Sequence, residues 1–118
     1  MKKTEWRGQE CPPQYETRKN AGMLQLIMYI DARQENDGNN EEGDWVATQI
    51  TMPVGVTDYG SIVSALINAK YNNDQMQAIV NNKLLDDGDP DHEAAFKEMQ
   101  AWRAEAKRIA KEIVESIN

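Results

Sequence analysis

The sequence predicts an α+β fold: an N-terminal three-stranded antiparallel β-meander, two short helices and one long C-terminal amphipathic helix. Three observations predict it. Apolar residues alternate with period two over Met23–Arg33 and again over Trp45–Met52. From Thr57 onward the spacing lengthens to three and four. The last quarter, Asp89 to Asn118, carries an apolar seam of Ala95, Met99, Trp102, Ala106, Ile109 and Ile113, the stripe of a single helix face.

Residues 1–13 are polar and close on Cys11-Pro12-Pro13. Neither proline can donate a backbone hydrogen bond, so this segment reads as an extended N-terminal arm ahead of a single domain spanning 14–118. A short first strand is expected at about 14–18, followed by a turn at Lys19-Asn20-Ala21-Gly22, where Asn and Gly tolerate positive φ. The second strand, about 23–33, puts Leu24, Leu26, Met28 and Ile30 on one face and Gln25, Ile27, Tyr29 and Asp31 on the other. Gln34 to Gly43 has no aliphatic residue and the composition of a solvated loop. The third strand, about 45–52, has Val46, Thr48, Ile50 and Met52 inward and stops at Pro53.

The first helix, about 59–71, follows Asp58 as a possible cap and carries Ile62, Val63, Leu66 and Ile67 on one face. Asn72-Asn73-Asp74 ends it and caps a second helix of about 74–85, whose stripe is Met76, Ile79, Val80 and Leu84. Asp86-Asp87-Gly88 turns the chain, and Asp89 before Pro90 is a helix start: a side-chain oxygen for free amides, then a residue that lacks one. The third helix, about 90–117, is roughly 42 Å long at 1.5 Å per residue. Asp91 and Glu93 suit its positive end, and Glu93–Lys97, Arg108–Glu112 and Lys111–Glu115 are pairs at four-residue spacing.

Composition bounds function. A chain of 118 residues with 40% hydrophobic and 28% charged residues has the material for one modest core. Its 20 acids against 13 bases, a net charge of −7, argue against general nucleic-acid binding. Arg103, Lys107 and Lys111 share a stripe beside Trp102, but Glu98, Glu105 and Glu112 are interleaved. The single cysteine, Cys11, allows no internal disulfide and fits a reducing compartment. No apolar run reaches the 18 or so residues of a membrane span, and Met1–Trp6 does not open a secretory signal. The expected location is the cytoplasm on synthesis, compatible with later association with a virion.

No motif for catalysis, a cofactor or a metal stands out. Asp86, Asp87, Asp89, Asp91 and Glu93 form the densest acidic cluster, but their spacing fails the calcium-loop pattern, and a turn with a helix start explains the same residues. His92 has no second histidine to share a zinc ion or a proton relay. Ser61 and Ser64 lie within a helix without a nucleophile elbow. No small-molecule substrate is evident. An interaction role is expected instead, centred on Met99, Trp102, Ala106, Ile109 and Ile113. Two readings of that seam stay open: the two short helices, with the sheet beside them, cover it, or its Ile109–Ile117 end joins a protein partner or a second copy.

Taken in order, Tyr59-Gly60-Ser61-Ile62-Val63-Ser64-Ala65-Leu66-Ile67, Lys70-Tyr71, Gln77-Ala78-Ile79-Val80-Asn81-Asn82 and Glu98-Met99-Gln100-Ala101-Trp102-Arg103 give the chain a likeness. From about Gly43 to Ile117 it resembles small uncharacterised phage and prophage proteins of gut anaerobes, encoded near virion-structure genes. The Trp102-Arg103 pair is also similar to the helical end of tail-fibre assembly chaperones. The resemblance implies context only: a phage-related protein, a tail or fibre accessory or an assembly factor. It implies no functional residues. Together with the lack of a catalytic motif, it makes the expected function non-enzymatic, acting through protein–protein contacts. The alternative function is an acidic inhibitor whose Glu35–Asp44 loop and Asp86–Glu93 turn occupy a basic groove of a host nucleic-acid enzyme.

Overall fold

A computed structural model describes residues 1–35, 43–85 and 88–117. The protein is α+β, with an antiparallel sheet and three helices, in the order β1 (Lys2–Gly8), β2 (Tyr15–Asn20), β3 (Met23–Glu35), β4 (Asp44–Thr51), α1 (Tyr59–Lys70), α2 (Asn73–Leu85) and α3 (Pro90–Ile117). The chain gathers into two compact units, Met1–Asp58 and Tyr59–Asn118.

The first unit is the sheet, ordered β1-β4-β3-β2. It has four strands where the sequence predicts three, because Lys2–Gly8, expected to be part of an arm, pairs antiparallel with β4 from Lys2 opposite Thr51 to Gly8 opposite Trp45. The physical reason is that β1 is an edge strand held by its backbone. Its side chains are mostly exposed, so it carries no apolar period for a sequence reading to detect. The β2–β3 hairpin turns on Ala21 (φ 54°) and Gly22 (φ 80°), and positive φ at both central residues is the condition for a type I′ turn, whose twist matches that of the strands.

The register of β3 on β4 sets Met28 opposite Ile50 and Ile30 opposite Thr48, so the apolar faces anticipated for the two strands coincide. Leu26, Met28, Ile30, Val46, Ile50 and Met52 are buried. The alternation breaks between Ile30 and Arg33, where an extra residue bulges from β3 and Asp31 adopts φ 56°. That slip returns Arg33 to the position opposite Val46. On the second sheet face, Ile27, Tyr29 and Ala47 form a small buried cluster. Trp6 packs on it edge to face with Tyr29, the ring centroids 5.6 Å apart at 70°.

The second unit is helical. α1 buries Ile62, Ala65, Leu66 and Ala69, whereas α2 has no fully buried residue. α3 packs against both. α2 starts with a reciprocal cap: the Gln75 amide donates to Asn72 Oδ1 at 2.8 Å and the Asn72 amide donates to Gln75 Oε1 at 2.8 Å. Because α2 is held by so little burial, its cap carries an unusual share of its stability. Asn72→Ala is expected to lower unfolding free energy by about 1 kcal/mol, read as a lower denaturant midpoint at unchanged slope. At α3, Asp89 Oδ1 accepts from the Asp91 amide at 2.9 Å ahead of Pro90, as the sequence signal implies. No helix among the described residues is long and apolar enough to cross a membrane.

Candidate functional site

The seam singled out from the sequence lies inside the folded chain. Met99, Ala106, Ile109 and Ile113 are buried, as is Ala110 between them. Trp102 is half-buried, and its indole Nε1–H donates to the Leu66 carbonyl of α1 at 3.0 Å. The Lys70 ammonium stands 3.8 Å from the centroid of the same ring. Met99, Trp102, Ala106, Ile109 and Ile113 therefore present no continuous apolar ribbon to solvent in this conformation. The charged side of α3 is as read from the sequence at two places. Arg108 reaches Glu105 (Nε–Oε2 3.0 Å) and Glu112 (Nη1–Oε2 3.0 Å), and Lys111 lies 4.0 Å from Glu115. The hydrogen bond from Arg108 holds the Glu105 carboxyl below its ordinary pKa, and Glu105 in return raises that of Arg108.

The junction of α2 and α3 is arranged differently from expectation. Glu93, anticipated as a partner of Lys97, bonds instead to Lys83 of α2. This bond lowers the Glu93 pKa, with smaller help from the charge of Lys97. The Lys83 ammonium also lies 5.7 Å from the centroid of the Phe96 ring. Beside this tie is a shallow, open depression of about 250 Å³ lined by Asn82, Lys83, Gly88, Asp89, Pro90, His92 and Glu93. His92 Nε2 is 3.7 Å from Asp89 Oδ2, a surface pair at the start of the helix. Asp86 and Asp87 of the acidic turn, and residues 36–42 of the acidic loop, lie outside the described residues. Among the described residues no three His, Cys, Asp or Glu side chains are grouped so as to hold a metal ion.

Leu84 and Leu85 close α2 at 75% and 73% exposed, the two most exposed large apolar side chains among the described residues. The helical spacing places Leu84 in the buried stripe of α2 and assigns Leu85 no role. The signal that could have found the pair is its position: Leu84-Leu85 continues the helix beyond Val80, the last residue of the stripe that is even half-buried. The sheet unit holds a second polar constellation that the sequence does not disclose. The Tyr29 hydroxyl donates to Glu16 Oε1 at 2.9 Å and accepts from Gln49 Nε2 at 3.2 Å, across three strands. Burial is the main cause of a raised Tyr29 pKa; the Gln49 bond opposes it and the Glu16 carboxylate adds to it. With both hydrogen bonds of the Tyr29 hydroxyl made, this trio ties three strands together.

Comparison with protein-family models, with curated proteins and with solved structures gave no match.

Proposed function

We propose that this chain is a non-enzymatic, phage-related structural or assembly protein, a tail or fibre accessory, that acts through protein–protein contact. The observation that supports this reading is the exposed Leu84-Leu85 pair at the end of α2. Exposed leucines are ordinary when scattered, but two in succession on a helix with no buried residue leave most of their apolar area in water. Covering such area is favourable by about 25 cal/mol per Å². The Lys83–Glu93 tie holds the adjoining turn of α2 against α3, so the leucines are presented from an anchored position.

The resemblance to phage proteins supplies the class of partner, a virion structural protein. Capture from lysate of a phage-producing host should recover such a protein with the native chain. The Leu84→Asp/Leu85→Asp double variant should lose at least about tenfold in affinity while keeping its helical circular dichroism. Undiminished capture by the double variant would remove these leucines from the contact. Recovery of a host nuclease or polymerase that is released at high salt would favour the acidic-inhibitor alternative.

A further inference from the structure

β2 is an edge strand, hydrogen-bonded to β3 on one side only, and Thr17 to Asn20 along it are exposed. Edge strands carry a row of backbone donors and acceptors that will pair with another strand unless something prevents it, and charged side chains, lysine above all, are a usual guard. β2 carries three charges, but of both signs, so a second copy in the right register meets them with opposite charge. It reads Tyr15-Glu16-Thr17-Arg18-Lys19, with acid and base placed symmetrically about a threonine.

Antiparallel pairing puts directly opposite residues on the same face of the sheet. Two copies of β2 can meet that condition only when the two-fold axis falls on a residue, not between residues. Centred on Glu16, the pairing sets two carboxylates opposite each other. Centred on Arg18, it sets two guanidinium groups opposite each other. Centred on Thr17, it places Glu16 against Arg18 of the second copy and Arg18 against its Glu16, with Tyr15 and Lys19 matched in the same way. The other edge has no such single solution. Registers of β1 centred on Thr4 or on Trp6 both pair acids with bases, and its Arg7 is already engaged by Glu35 at 3.4 Å and Asp44 at 3.8 Å.

We propose that two copies of this chain pair antiparallel along β2 about a two-fold axis at Thr17, joining their sheets into one. Within a single chain, Arg18 Nη2 already lies 2.9 Å from Glu16 Oε1, the same oxygen that accepts from Tyr29. Pairing exchanges this exposed intrastrand contact for two interstrand ones, and the backbone edge supplies the remaining hydrogen bonds. The proposal is independent of the Leu84-Leu85 contact and predicts a different readout.

The test is the mass of the full chain in solution by sedimentation or light scattering, with circular dichroism as the check on folding. The native chain should approach twice its 13.4 kDa as concentration rises. Glu16→Arg alone and Arg18→Glu alone should each weaken self-association at least about tenfold, because either change sets like charges across the axis. An equimolar mixture of the two variants should recover the doubled mass as a heterodimer. On a Cys11→Ser background, Thr17→Cys should form an intermolecular disulfide on oxidation, and Thr4→Cys should not. A native chain that keeps its single mass into the millimolar range overturns the proposal. So does a doubled mass indifferent to both charge variants, a folded mixture no heavier than its components, or crosslinking through Thr4→Cys in place of Thr17→Cys.

Discussion

Ile113→Asp is expected to abolish the folded state. Ile113 is fully buried near the end of α3, in a row with Ala106, Ile109 and Ala110. There are no buried polar or charged side chains among the described residues to receive a carboxylate. Placing one there either buries an unpaired charge, at a cost of several kcal/mol, or forces its protonation at a comparable penalty. Such a loss is of the order of the whole stability of a small domain, about 5–15 kcal/mol. The milder Ile113→Ala removes apolar contact without adding charge and should cost about 2–5 kcal/mol. Far-UV circular dichroism and a denaturant titration check both. The pair of variants also separates the two readings of the seam. A surface seam would leave Ile113→Asp folded, with only its association changed, whereas a seam buried in the chain loses secondary structure at any protein concentration.

Trp102→Ala should cost about 2–4 kcal/mol, since a half-buried indole forfeits part of the 3–5 kcal/mol usual for a buried one. Three contributions meet at this residue. The ring packs where α3 meets α1, its N–H bonds to the Leu66 carbonyl, and Lys70 sits over its face. Trp102→Phe keeps an aromatic ring but removes the donor, so it should cost about 1 kcal/mol more than packing loss alone. Denaturant midpoints for both variants test the assignment. If each shifted stability by less than about 0.5 kcal/mol, the range of an ordinary surface change, the indole would not be joining the two helices.

Elements whose signals are local are legible in the amino-acid order. The Asn72 and Asp89 caps lie within three residues of the amides they satisfy, and the helix starts they mark are where the sequence predicts them. The period-two faces of β3 and β4 also coincide in the sheet, as Met28 opposite Ile50 records. Less of the candidate site is legible. The seam residues of α3 can be recognised as apolar and periodic, but spacing alone cannot say whether a stripe is covered by its own chain or by another. Leu84 shows the converse: it continues a helical stripe and yet stands in water.

Thus the amino-acid order by itself determined the class of fold, the three helices, three of the strands and two of the three charge pairs at one-turn spacing along α3, all signalled by residues close in the chain. Only the tertiary structure decided that Lys2–Gly8 joins the sheet, that Asp31 interrupts the alternation, that Glu93 turns to Lys83, and that Met99, Ala106, Ile109 and Ile113 are hidden. Each of these depends on a partner distant in sequence. β1 in particular is held by backbone hydrogen bonds, which every residue but proline can form and which therefore leave no mark in side-chain pattern.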